Sequence, residues 1–351
     1  MTKINLLLFF LVFFAVSSYA ATNPYKTLLI TDLSVVNSKE AYQNWSLIKV
    51  LSLIKKSNQL TSEFLKDWLN QWEIISSINN KPITPLDPKT LLRFWPLTTR
   101  NTLDFNQSPF LLSAVVYRPD LIDVNQGGEF RLIYSGYDEQ SQMPLQITII
   151  AEFIIPKAFE QNIKDRFISL SSIDYGKDFN QKINEIFTLI VNSQNLGQIR
   201  VNDFILNDSW DLREFKLLND SLKMTTTAFT PQLNMNNEDS FELKTLVENN
   251  RSSILKGNYK LPKNFWGGTA LMPSEDFIWF ENDSMDTALK TSFSVMTCNG
   301  CHSGATHSRF VHLEPRVKSL PAEPSNYLKE QLTIRLKYLE DFSYRRHPYA
   351  H

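Results

Sequence analysis

The chain has 351 residues, 42% of them apolar, enough for a substantial core in one large domain or two smaller ones. Its 36 basic and 37 acidic residues nearly cancel and form no long like-charge block, which excludes nucleic acid and anionic membrane surfaces as expected partners. Only 10 glycines occur, so most positions are expected in regular elements rather than tight loops.

Residues 1–20 read as a secretory signal peptide: Lys3, an apolar run from Ile4 to Val16, then Ser18-Tyr19-Ala20 with small residues ahead of the cleavage point. The mature protein is expected to be periplasmic or secreted. No later window approaches the roughly 18–20 apolar residues needed to span a bilayer, so no transmembrane segment is expected after signal removal.

After the apolar stretch "TLLITDLSVV", Leu47, Val50, Leu51 and Ile54 recur at helical spacing, and a second helix carries the stripe Phe64, Trp68, Trp72 and Ile75. The prolines of "KPITPLDPKTLLRFW" break this pattern, with Pro88 suited to a helix's first turn. From about residue 109 the period falls from 3.6 to 2. The alternations Phe130, Leu132, Tyr134 and Leu145, Ile147, Ile149, Ala151, Phe153 read as strands. Helices near 157–172 and 178–193 precede a second strand group, "QIRVNDFIL", "WDLREFKLL" and "SLKMTTTAF". Strands grouped in this way predict an α+β fold: a helical N-terminal layer, an antiparallel sheet core and a helical C-terminal segment. Domain α+β spans 21–280, and 281–351 forms the C-terminal segment.

A helix around 240–255 closes the first part. Asn282 or Asp283 can cap the next, whose buried face would be Met285, Ala288, Leu289, Phe293 and Met296 and which would run directly into both cysteines. Ser325 can cap a last helix bearing Leu328, Leu332, Leu336 and Leu339. Within the sheet region, Arg118-Pro119-Asp120 and Asp211-Leu212-Arg213-Glu214 read as structural ion pairs. No Ser-His-Asp signature, phosphate loop or H-E-x-x-H is present, and no histidine precedes His302.

The chemistry concentrates in "MTCNGCHSGATHSRFVH". Cys298-Asn299-Gly300-Cys301-His302 is the C-x-x-C-H pattern of covalent c-type haem attachment. Two thiols can bond the porphyrin vinyl groups, and the adjacent histidine can ligate iron from below. Three alternatives stay open. Cys298 and Cys301 could form a disulfide in an oxidising compartment, or a redox-active pair. They could also join His307 and His312 around zinc. For a haem, the sixth-ligand candidates are His312 first, then His307, His347, His351, Met272 and Met296, or the position stays open. His302 and His312 are thus the expected metal ligands, and Cys298, Cys301, His302 and His312 the expected cofactor site. Arg309 and Arg316 could pair with propionates, and Trp266, Trp279, Phe293 and Phe310 could wall the ring. Such a site needs a slot of several hundred Å3, roughly, beside His302.

The helix entering C-x-x-C-H, with Phe293 five residues before Cys298 and a closing C-terminal helix, resembles the frame of small cytochromes c. No methionine follows His302, where that pattern puts its distal ligand. The phrases "ITDLSVV" (30–36), "FLKDWLNQW" (64–72), "SPFLLSAVVYRPDL" (108–121), "WDLREFKL" (210–217), "TCNGCHSG" (297–304) and "RFVHLEPR" (309–316) resemble a family of large secreted bacterial proteins with a C-terminal TCNGCH motif. That resemblance implies that Cys298, Cys301, His302 and His312 belong to one site; it implies nothing about what the site binds. The expected function is an exported c-type haem protein acting in electron transfer or haem redox chemistry, with a redox partner protein. The alternative is a non-enzymatic secreted binding or envelope protein with a Cys298–Cys301 disulfide or metal clip.

Overall fold

Helix α1 (Leu47–Ile54) buries Leu47, Val50, Leu51 and Ile54, the positions its spacing predicts, and the Ser46 side chain accepts the Lys49 N–H at its start. Helix α2 (Thr61–Ile74) buries Phe64, Leu65, Trp68, Leu69 and Trp72. These belong to a computed structural model that describes residues 22–340 apart from 57, 86, 205–209, 229, 232–236, 258, 272–275 and 309. Among the described residues no helix is long and apolar enough to cross a membrane.

The helices cover one face of an antiparallel sheet. Its strands are β1 (Leu29–Ile30), β2 (Phe110–Ile122), β3 (Gln126–Asp138), β4 (Met143–Pro156), β5 (Leu196–Asp203), β6 (Asp211–Leu218), β7 (Ser221–Thr225) and β8 (Ala270–Leu271). Their order is β1-β2-β3-β4-β5-β6-β8, and β7 also pairs with β6. Helices α3 (Glu160–Leu170) and α4 (Lys177–Ile190) connect β4 to β5. The period-2 apolar residues face this helical layer. Tyr117 stacks on Phe167 at 4.5 Å, Phe215 meets Trp68 and Trp72 at 5.6 and 6.0 Å, and the Tyr134 hydroxyl donates to the Trp45 carbonyl. Each such fully buried large side chain contributes roughly 1.5–3 kcal/mol, which makes this the main core.

The second face is the unexpected one. Alternation places Arg118, Glu129, Arg131, Glu152, Arg200 and Glu214 on it, where solvent would be the ordinary environment. Instead Arg118 is 3%, Glu152 1% and Glu214 1% exposed. The register sets opposite charges across from one another: Arg118 faces Glu129, Arg131 faces Glu152, and Arg200 faces Glu214. Ion pairs run along the row, with Arg131 to Glu129 at 2.6 Å and to Glu152 at 3.2 Å, and Arg200 to Glu152 at 3.4 Å and to Glu214 at 3.1 Å. The expected structural pairs are present as well, Arg118 with Asp120 at 2.6 Å and Arg213 with Asp211 at 2.8 Å.

The chain after β7 divides in two. Helices α5 (Asn237–Asn249), α6 (Arg251–Leu255) and α7 (Thr287–Val295) share a separate apolar cluster with Leu243, Val247, Ile254, Trp279, Leu289, Phe293 and Met296. Beyond it come the single turn α8 (Cys298–Cys301) and α9 (Asn326–Glu340), whose Leu332 and Leu339 join the main core. The cytochrome-like frame is therefore not formed. Phe293 packs on Trp279 and Phe280, and α7 and α9 lie in different clusters. The physical reason is the sheet: its charged face needs a cover, and residues 298–340 supply it.

Asp120 ties α9 to this face. Burial alone would raise its pKa, but the guanidinium groups of Arg118 and Arg335 outweigh it and bring it down from the ordinary 3.8 to about 2. The folded state therefore gains stability above about pH 4 that fades as pH falls through about 2. Asp120→Asn is expected to cost roughly 3–5 kcal/mol at pH 7 by removing the carboxylate that Arg118 and Arg335 share. The gap from wild type should narrow by pH 2, as urea unfolding at the two pH values would reveal.

Candidate functional site

Helix α7 starts at Asp286, whose carboxylate accepts the Ala288 and Leu289 N–H groups; Asn282 and Asp283 lie too early to cap it. Its buried face is Leu289 and Phe293 with Met285 and Met296 at its ends, while Ala288 is exposed. The helix does not run on into the cysteines. At Thr297 the backbone turns extended (φ −107°, ψ 149°), and a fresh helical turn begins at Cys298.

Thr297 holds this turn in place. Its hydroxyl accepts the Gly300 N–H at 3.1 Å and the Trp279 indole N–H at 3.0 Å, and donates to the Ser294 carbonyl at 2.8 Å. Gly300 is required by close approach: a Cβ there would lie 2.3 Å from the Ser294 carbonyl oxygen. Ser303 donates back to the Asn299 carbonyl at 2.8 Å and closes the turn. Much of the motif thus serves to hold Cys298, Cys301 and His302 at one place.

That place is a cavity of about 140 Å3 between the turn, α9 and the charged sheet face. Cys298, Cys301, His302 and His312 all line it, with Arg118, Arg131, Arg200 and Arg335. Both cysteines are buried free thiols, so no disulfide joins them. Burial pushes the Cys298 thiol up to about 11, against the opposing pull of Arg200, and pushes Cys301 up to about 12. That environment disfavours the thiolate on which thiol–disulfide exchange depends.

His302 stacks on Trp210, with ring centroids 5.0 Å apart. Its Nδ1 lies 2.6 Å from the Phe310 carbonyl oxygen, an acceptor only, so Nδ1 bears the proton and Nε2 keeps its lone pair. Burial lowers its pKa to about 4, with the Phe310 hydrogen bond opposing. His312 is held well below the ordinary histidine range by burial and by His302, Arg335 and Arg118. It sits 4.5 Å from His302 between ring centroids, and its Nε2 lies 3.4 Å from Cys301 Sγ. Two imidazoles and two thiols, with burial favouring the neutral form of each, therefore line one cavity.

Several other expected residues fall elsewhere. His307 is exposed, so the zinc quartet does not assemble, and among the described residues no group of three or more His, Cys, Asp or Glu is placed to hold a metal ion. Arg316 is a structural clamp, donating to the Leu112 carbonyl at 2.9 Å and to Asn37 Oδ1 at 2.7 Å. Trp266, Trp279, Phe293 and Met296 belong to the separate cluster, whereas Phe310 packs against the cluster of Trp210 and Cys298 and lines a neighbouring groove of about 520 Å3. Met272, Arg309, His347 and His351 lie outside the described residues. Trp210 and the four cavity arginines carry no motif. Only alternation with apolar strand residues could have pointed to Arg118, Arg131 and Arg200, while Arg335 sits on α9 and Trp210 just ahead of β6.

The fit to a covalently held haem is divided. The donor set fits: two cysteines, a neutral histidine with Nδ1 tied to a carbonyl, and buried guanidinium groups. The volume does not, since about 140 Å3 falls short of the roughly 300 Å3 at which pockets for organic ligands begin. With the imidazoles of His302 and His312 in contact, no porphyrin plane lies between them as arranged. No protein-family model, curated protein or solved structure matches the chain.

Gly300→Ala tests the architecture of the turn. The added methyl meets backbone that cannot rotate away, so the expected loss is at least about 2 kcal/mol by thermal or urea unfolding. Gly304→Ala, set against Asp276 backbone at 2.7 Å, should behave alike.

Proposed function

We propose that this chain is an exported c-type haem protein, in which Cys298 and Cys301 would be the thioether anchors and His302 Nε2 the nitrogen that holds the iron. The observation that carries the proposal is the His302–Phe310 hydrogen bond. A histidine that ligates a metal commonly donates its other ring N–H to a carbonyl, which fixes the tautomer and the ring plane. His302 meets that condition at 2.6 Å, on the same cavity wall as both thiols. Its lowered pKa keeps the lone pair available at neutral pH. A bound haem would supply single-electron chemistry, and a redox partner protein would be its natural counterpart.

The closed volume sets a condition on this reading. Residues 310–328, which carry His312 against His302, have to move off the sheet for a porphyrin to enter. The same closed volume favours a second reading, a colourless exported binding protein in which the two thiols stay reduced or close into a disulfide.

Coexpression with haem-attachment machinery separates the two. The proposal expects a pyridine haemochrome spectrum with a c-type α-band that survives denaturation and vanishes in Cys298→Ala/Cys301→Ala. A well-folded wild-type protein without that band would overturn it and leave the binding-protein reading.

A further inference from the structure

We infer that the cavity beside the cysteine turn is a seat for a carboxylate bearing a short apolar chain. Four arginines line it, and no aspartate or glutamate does. The acidic partners Asp120, Glu129, Glu152 and Glu214 all lie outside its lining, so the cavity itself meets only the cationic side of the charged row.

Arg335 is the group left short. Asp120 is already engaged by Arg118, whose Nε lies 2.9 and 3.1 Å from the two carboxylate oxygens and whose Nη2 lies 2.6 Å from Oδ2. Arg335 reaches that same carboxylate only at 3.6 Å, and its Nε makes no hydrogen bond although the residue is only 9% exposed. A buried cation paired this poorly is costly, and a planar carboxylate is the anion that a guanidinium fork binds best. Burial, with the charges of Arg118 and Arg131 added, lowers the Arg335 pKa to about 10.

Size and walls narrow the ligand. A cavity of about 140 Å3 is close to the roughly 150 Å3 that admits a benzene-sized guest. Val116, Ile133, Ile150 and Leu212 line it as well and suit a short alkyl chain. Two sources could bring that chemistry: a free short organic acid, or the propionate side chain of an attached porphyrin. The seat does not depend on haem attachment.

The test uses the full chain made without haem, as wild type under reductant and as Cys298→Ala/Cys301→Ala. Propionate, propionamide and sodium chloride at matched ionic strength are titrated while Tm is followed. A saturable rise in Tm with propionate alone is expected, and Arg335→Leu, checked for folding by circular dichroism, should weaken binding at least tenfold. No propionate effect on a folded haem-free chain would overturn the inference. So would equal effects of propionate and propionamide, or an unchanged affinity in Arg335→Leu. If a haem-loaded form no longer responds to propionate while the haem-free form does, the porphyrin's own carboxylate fills the seat; a persisting response assigns it to a free acid. A chain that stays colourless when coexpressed with haem-attachment machinery, yet binds propionate, would overturn the haem proposal and leave this one standing.

Discussion

Burial of the alternating charged row on the second face of the sheet is the constraint from which the rest follows. Taking these ions out of water costs several kcal/mol each, and the cost is offset only while every charge keeps its partner and water stays out. The strand register meets the first requirement by setting Arg118, Arg131 and Arg200 opposite Glu129, Glu152 and Glu214. The second requirement falls to residues 298–340. Arg316, reaching the Leu112 carbonyl, and Arg335, reaching Asp120, fasten that cover to the β2 strand.

The cysteine motif contains two kinds of residue. Thr297, Gly300 and Ser303 act on the backbone: one caps, one permits close approach, one closes the turn. Cys298, Cys301 and His302 then face the cavity as neutral groups, because burial disfavours thiolate and imidazolium alike. The three side chains thus keep their neutral forms favoured around neutrality.

Period and capping made the N-terminal helices and the strands legible, since Leu47 to Ile54, Phe64 to Trp72 and Phe130 to Tyr134 face the core their spacing implies. The charged face was not legible. Arg131, Glu152 and Arg200 alternate with apolar neighbours as they would on a solvated sheet, and what covers them starts only at Cys298, far along the chain. Trp210 was hidden for the same reason, because its partner His302 belongs to that cover. The cytochrome-like reading of residues 281–351 failed because local resemblance around C-x-x-C-H says nothing of where the flanking helices pack. Phe293 found Trp279 and Phe280 rather than α9.

The contact between Arg316 and Leu112 spans 204 residues, and that between Cys298 and Ala228 spans 70. Closing loops of that size is slow compared with forming a hairpin, so the meander of β2, β3 and β4 can assemble well before its cover arrives. During that interval the cysteine segment is an accessible peptide rather than a buried wall. Any covalent chemistry on Cys298 and Cys301 therefore meets least obstruction before residues 298–340 dock on the sheet.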